Sequence, residues 1–114
     1  EHSIECAMSA YHPELAHGAG LIMISEAYYQ FMVDNHACDE RMVDMAKFMG
    51  YENAQKPQDF ITALVELQKK CGVYGLKMSD YGISPNEFEK MAVNADPHTV
   101  SDNDCVSILK KSFR

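Results

Sequence analysis

Apolar residues recur three and four positions apart in one segment of this chain after another, and the strict alternation of a half-buried strand is missing. Ile4, Ala7, Met8 and Tyr11 follow the spacing of one helix face, and Pro13 stands where that helix must stop. Residues 1–11 are therefore expected to be helical. The stretch GAGLIMISEAYYQFMVDN, from Gly18 to about Asn35, is apolar on most sides, as a central and nearly buried helix would be. In CDERMVDMAKFMG, Met42, Met45, Ala46 and Met49 share a face, and Gly50 suits the residue after the helix end. Pro57 fits the start of another helix, striped by Phe60, Ile61, Leu64, Leu67 and Cys71 and closed by Gly72 and Gly75. GLKMSDYGIS reads as a connector. Ser84, Pro85 and Glu87 then make a capping box with proline at the first helical position, followed by Phe88, Met91, Ala92 and Ala95. Asp96-Pro97 breaks that helix, Ser101–Asp104 starts the last one, and Val106, Leu109 and Phe113 carry it. The expectation is an all-α bundle of five to six helices joined by short loops, with residues 1–114 as a single domain.

Charge and cysteine usage narrow the function classes. The net charge of −7 comes from 10 basic and 17 acidic residues, with no basic stripe, which argues against nucleic-acid binding. The one basic cluster, Lys110, Lys111 and Arg114, suits the negative end of a terminal helix. Leu21–Ile24 is the longest apolar run, far short of a membrane span, and no signal-peptide pattern occurs. Cysteines stand at 6, 38, 71 and 105, none in a C-x-x-C arrangement. Their near-even spacing suggests a repeat, but the flanking residues share no pattern. Free, mostly buried thiols in a cytoplasmic protein are expected. The eight methionines are read as core filling.

The N-terminal stretch EHSIECAMSAYHPELAHGAGL concentrates the residues that could carry chemistry. His2 and Cys6 are four apart and share a helix face. A short turn at Pro13 can bring His17 back beside that face. Two imidazoles presented together can bind a transition metal, although two donors do not complete a coordination shell. The competing reading is that these histidines only cap and pack. His12 belongs to the turn, and His36 and His98 lie in polar connectors. Glu5 and Glu26 are carboxylates within reach in sequence, but Glu5 lies off the His2 face. Gly18 and Gly20 would permit either close backbone approach to a ligand or tight helix packing. They are not a dinucleotide fingerprint, since no strand precedes them.

The same stretch resembles the iron-containing alcohol dehydrogenase family. That family's helical domain carries H-x-I-E-H-x-x-S-A, a short turn, and H-G-x-G-L. Here the pattern reads His2-Ser3-Ile4-Glu5-Cys6-Ala7-Met8-Ser9-Ala10 and then His17-Gly18-Ala19-Gly20-Leu21. YGLKMSDYGISPNEFEKMAVNA is similar to a later family segment, G-L-x-x-L-x-x-x-G-I followed by a helix, so the resemblance spans most of the chain.

The resemblance implies an orthogonal helical bundle of the dehydroquinate synthase-like, iron alcohol dehydrogenase type. It implies a preceding Rossmann-like domain that binds NAD or NADP. It implies a metal, Fe²⁺ or in some members Zn²⁺, with His2 and His17 as two of its ligands. The remaining ligands, an Asp and a His in a D-x-x-x-H pattern, would lie upstream. The implied reaction is oxidation of an alcohol or reduction of an aldehyde or ketone, with Leu21 and neighbouring apolar residues walling the pocket. Cys6 departs from the pattern: it stands where many members carry a further histidine near the site, one implicated in proton handling or substrate contact. A thiol does not shuttle protons as imidazole does near neutral pH. The chain, which begins without an initiator Met, is thus expected to be a piece of such an enzyme and inactive by itself. Apolar surface left uncovered would favour a homo-oligomer. The alternative is a stand-alone all-α interaction module.

Overall fold

The computed structural model describes residues 1–94 and 101–114. Every regular element among them is helical. They are α1 (His2–Tyr11), α2 (His17–Asp34), α3 (Asp39–Phe48), α4 (Gln58–Lys70), α5 (Phe88–Asn94) and α6 (Asp102–Ser112). Two short 3-10 turns, Met78–Tyr81 and Pro85–Glu87, precede α5. The expected connector 75–84 is therefore partly helical, and it buries Met78 and Ile83. The expected helix break at Asp96-Pro97, the last residue of the α5 stripe, Ala95, and His98 lie outside the described residues.

Local chemistry sets the helix boundaries. α3 ends in a Schellman arrangement: Tyr51 N–H donates to Ala46 C=O and Gly50 N–H to Lys47 C=O, both at 3.0 Å. That closure puts Gly50 at φ 103°, a left-handed conformation that glycine adopts without a Cβ penalty. At the start of α6 the Ser101 hydroxyl accepts the Asp104 N–H at 3.2 Å. The capping box before α5 forms as the sequence suggests, with the Ser84 N–H donating to Glu87 Oε2 at 2.9 Å.

The described residues form two compact units. The first comprises Glu1–Ala27 and Leu76–Arg114. In it α1 packs on α5, and α5 packs on α6. Ile4, Met8, Met78, Phe88, Met91 and Leu109 are fully buried there, and the Phe88 and Phe113 rings meet edge to face at 6.1 Å. The second unit is Tyr28–Gly75, in which α3 packs on α4. Its core is Met42, Ala46, Ala54, Phe60 and Ile61, with Tyr29 set edge-on to Phe60 at 5.2 Å.

Several burial expectations change. α2 is not nearly buried along its length: only Gly20, Met23, Ile24 and Ser25 are, and residues 26–33 are half-buried. The α4 stripe fades toward its C-terminal end, where Leu67 and Cys71 are exposed. All four thiols are free as expected, yet Cys6 and Cys71 are exposed, Cys38 is half-buried, and Cys105 alone is buried. Burial, reinforced by the nearby Asp102 charge, pushes the Cys105 thiol up to about 11, so it is an inert core group. None of the described helices is long and apolar enough to cross a membrane.

Candidate metal centre

The candidate site is built by α1, the turn after it and the first turn of α2, all within the first unit. His2 opens α1 and His17 opens α2, and their ring centroids stand 5.5 Å apart with the planes tilted by 42°. Two imidazoles sharing one tetrahedral ion would have centroids about 5 Å apart, given metal–nitrogen bonds of about 2.1 Å. The tertiary structure thus brings together two side chains that are 15 positions apart in sequence.

Glu5 is the residue that sequence reasoning undervalued. Its side chain is 0% exposed, although its helix position lies off the His2 face. Its two oxygens are both engaged: Ser9 Oγ donates to Oε1, and His17 Nδ1 meets Oε2. A carboxylate this deep is costly unless its oxygens find hydrogen-bond partners. His17 supplies the partner, and its own side chain is 53% exposed. Because Glu5 takes Nδ1, Nε2 is the ring nitrogen left for another partner. A carboxylate behind one imidazole nitrogen is a common way to orient a metal-binding histidine.

Gly20 explains how Glu5 fits. A Cβ built on Gly20 would lie 2.6 Å from both Cγ and Oε1 of Glu5. The glycine therefore leaves room for the Glu5 side chain where it reaches the first turn of α2. Gly18 has no such neighbour within 4 Å. The two available sequence signals for Glu5 were Ser9, four residues on, and the glycine at 20.

Among the described residues, Glu5, Cys6 and His17 form a potential metal-binding group whose donor atoms lie within 4.8 Å of one another. Cys6 is exposed at this cluster. Glu1, beside His2, is raised above the usual carboxylate range by burial, against the opposing charges of the N-terminus and His2, and its Oε2 is buried without a hydrogen-bond partner. The donor set of imidazoles, thiol and carboxylate fits a borderline divalent ion such as Fe²⁺ or Zn²⁺.

The other candidates fall elsewhere. Glu26 is half-buried. His36 sits in the turn after α2 at φ 51° with Nδ1 2.8 Å from Asp39 Oδ2, a local turn contact. His12 is far less exposed than a free turn residue would be, at 12%. Its Nε2 is 3.0 Å from both carboxylate oxygens of Glu87, and its Nδ1 is 3.5 Å from Glu14. It ties the α1–α2 turn to the capping box before α5.

The described residues thus form an all-α fold in which α1 and α2 bring two histidines together beside a buried carboxylate. The profile of the Fe-containing alcohol dehydrogenase family, C-terminal part, matches residues 1–113, and the chain belongs to that family. Among solved structures it is similar to the archaeal halo-thermophilic Red Sea brine pool alcohol dehydrogenase ADH/D1, with a TM-score of 0.86 at 21% identity. That match covers 98% of this chain and 32% of the other, so the chain spans about a third of its solved relative. At this identity the likeness establishes the all-α fold. No curated protein sequence matches the chain.

Proposed function

We propose that this chain supplies half of the metal site and part of the pocket wall of a metal-dependent, NAD(P)-linked alcohol dehydrogenase. The parent enzyme would interconvert an alcohol with an aldehyde or ketone in the cytoplasm. A Rossmann-like domain of the same parent chain would hold the nicotinamide cofactor. The observation that carries this reading is the buried Glu5 carboxylate seated on His17 Nδ1, with the His2 ring 5.5 Å from that of His17.

His2 and His17 would each donate a ring-nitrogen lone pair to Fe²⁺ or Zn²⁺, and Glu5 would hold His17 in the required tautomer and orientation. When bound, such an ion polarises the alcohol oxygen and so favours hydride departure to the nicotinamide. Gly20 admits the Glu5 side chain to its place beneath His17. Leu21, half-buried one residue further along α2, would help exclude water from the pocket. Cys6 occupies the position of a family histidine, so any proton relay there must run through a different group or through water.

Two observations test the reading. The coding sequence upstream of Glu1 should encode a strand-rich segment with a G-G-x-x-x-D-type phosphate loop and then D-x-x-x-H; an upstream stop codon in frame with no such segment sinks the enzyme reading. The 114-residue chain should bind Zn²⁺ weakly and one-to-one by calorimetry, and His2→Ala/His17→Ala should abolish that binding. Tight binding that survives the double substitution removes the ligand assignment.

A further inference from the structure

We infer that His12 and Glu87 are positioning residues for the metal site: their contact fixes the turn that sets how far apart His2 and His17 stand. This rests on the assignment of His2 and His17 as ligands. His2 opens α1, His17 opens α2, and both residues are exposed. No packed core holds the two rings at 5.5 Å, so their separation depends on the backbone path from α1 to α2. That path is the turn 12–16. It is fixed at two points. One is Leu15, which is buried and whose N–H donates to the His12 C=O at 3.0 Å. The other is His12, whose N–H closes α1 by donating to the Met8 C=O at 2.9 Å and whose ring is held by Glu87.

A carboxylate only accepts hydrogen bonds, so Nε2 of His12 carries the hydrogen and donates to Glu87, 3.0 Å from both oxygens. The same carboxylate accepts the Ser84 N–H at 2.9 Å. One side chain thus joins the turn to the capping box that starts α5, and α1 packs on α5 as well. The turn, α1 and the start of α5 close on one another, and α2 leaves this frame in a defined direction. Without His12 the turn keeps Leu15 but loses its tie to α5, and His17 moves relative to His2. A metal site tolerates displacements of only about 0.5 Å in its donors. Glu14 is exposed and 3.5 Å from Nδ1, so it adds little to the tie.

The test is the Zn²⁺ affinity of the 114-residue chain by calorimetry at neutral pH, under conditions where circular dichroism shows each variant folded. His12→Gln places an amide N–H about as far out as Nε2, whereas the shorter His12→Asn does not reach Glu87. His12→Asn and Glu87→Ala should each weaken Zn²⁺ binding about tenfold. Combined, they should cost no more than either alone, because they break one contact. His12→Gln should keep the affinity of the unaltered chain. Glu14→Gln should keep it too, as should Ile61→Val, which loosens the core of the second unit without touching the turn. Unchanged affinity in His12→Asn, or equal losses in His12→Gln and His12→Asn, overturns the inference; the histidine assignment then stands if His2→Ala/His17→Ala still abolishes binding. No Zn²⁺ binding by the unaltered chain, or binding that persists in that double variant, overturns the ligand assignment and this inference with it.

Discussion

Gly20 shows how one missing side chain shapes the site. Alanine in a helix interior is intrinsically better than glycine by up to about 1 kcal/mol. Here a Cβ would meet Glu5 Cγ and Oε1 at 2.6 Å, and Glu5 is buried with both oxygens held. Cγ is not a free end that can swing aside, so the overpacking cost of about 1–3 kcal/mol prevails. Gly20→Ala is expected to lower the urea unfolding midpoint, and the loss should shrink in a Glu5→Ala background because the two changes share one contact. Equal penalties in both backgrounds would mean that Glu5 is not the obstacle. At this scale the sequence was partly legible. Spacing paired His2 with Cys6, and the family pattern singled out His17. Position 5 lies off the His2 face, so spacing along α1 does not pair Glu5 with the histidines, and only the approach of α2 brings His17 onto it.

Between elements, the contact of His12 with Glu87 joins the α1–α2 turn to the residues that start α5. Burial opposes ionisation of Glu87, but the Ser84 amide and His12 outweigh it and hold its carboxyl below the usual 4.5. A depressed carboxylate stabilises the folded state above its unfolded value and stops doing so as pH falls through its folded value. The stabilisation from Glu87 should therefore be intact above about pH 4.5 and fade below it. Glu87→Gln should unfold more easily at neutral pH, and its deficit against the unaltered chain should narrow as the pH drops below that value. A deficit that stays constant down to acid pH would contradict this role. The capping box itself was legible, because Ser84, Pro85 and Glu87 act within four residues of one another. The link to His12 was not, since 75 positions separate the partners.

The two compact units differ in how much they bury. The first carries Ile4, Met8, Ile24, Met78, Phe88 and Met91 with almost no exposure, whereas the second relies on six buried apolar residues, three of them alanines. Phe48 in the second unit is 90% exposed, and Leu67 is exposed as well. Units of this size with small cores are marginal, and local opening follows the weaker core. Native-state hydrogen exchange should find amides of α3 and α4 opening at lower free energy than those of α1 and of α2 up to Ala27. Uniform protection across both sets would show that the chain opens only as a whole. The half-buried second part of α2, apolar on most sides in sequence, shows that periodicity reports what a helix could bury and not what covers it.

The amino-acid sequence by itself determined where the helices lie and how most of them end, and its motifs carried the family resemblance. Those properties depend on neighbours a few residues apart: hydrogen bonds one turn away, caps, and the spacing of apolar side chains. The tertiary structure alone decided that Glu5 lies beneath His17, that Gly20 makes room for it, that His12 is clasped by Glu87, and that Leu67 near the end of α4 stays exposed. Each of these depends on which face of one helix meets another element, and that is settled by packing the whole chain at once.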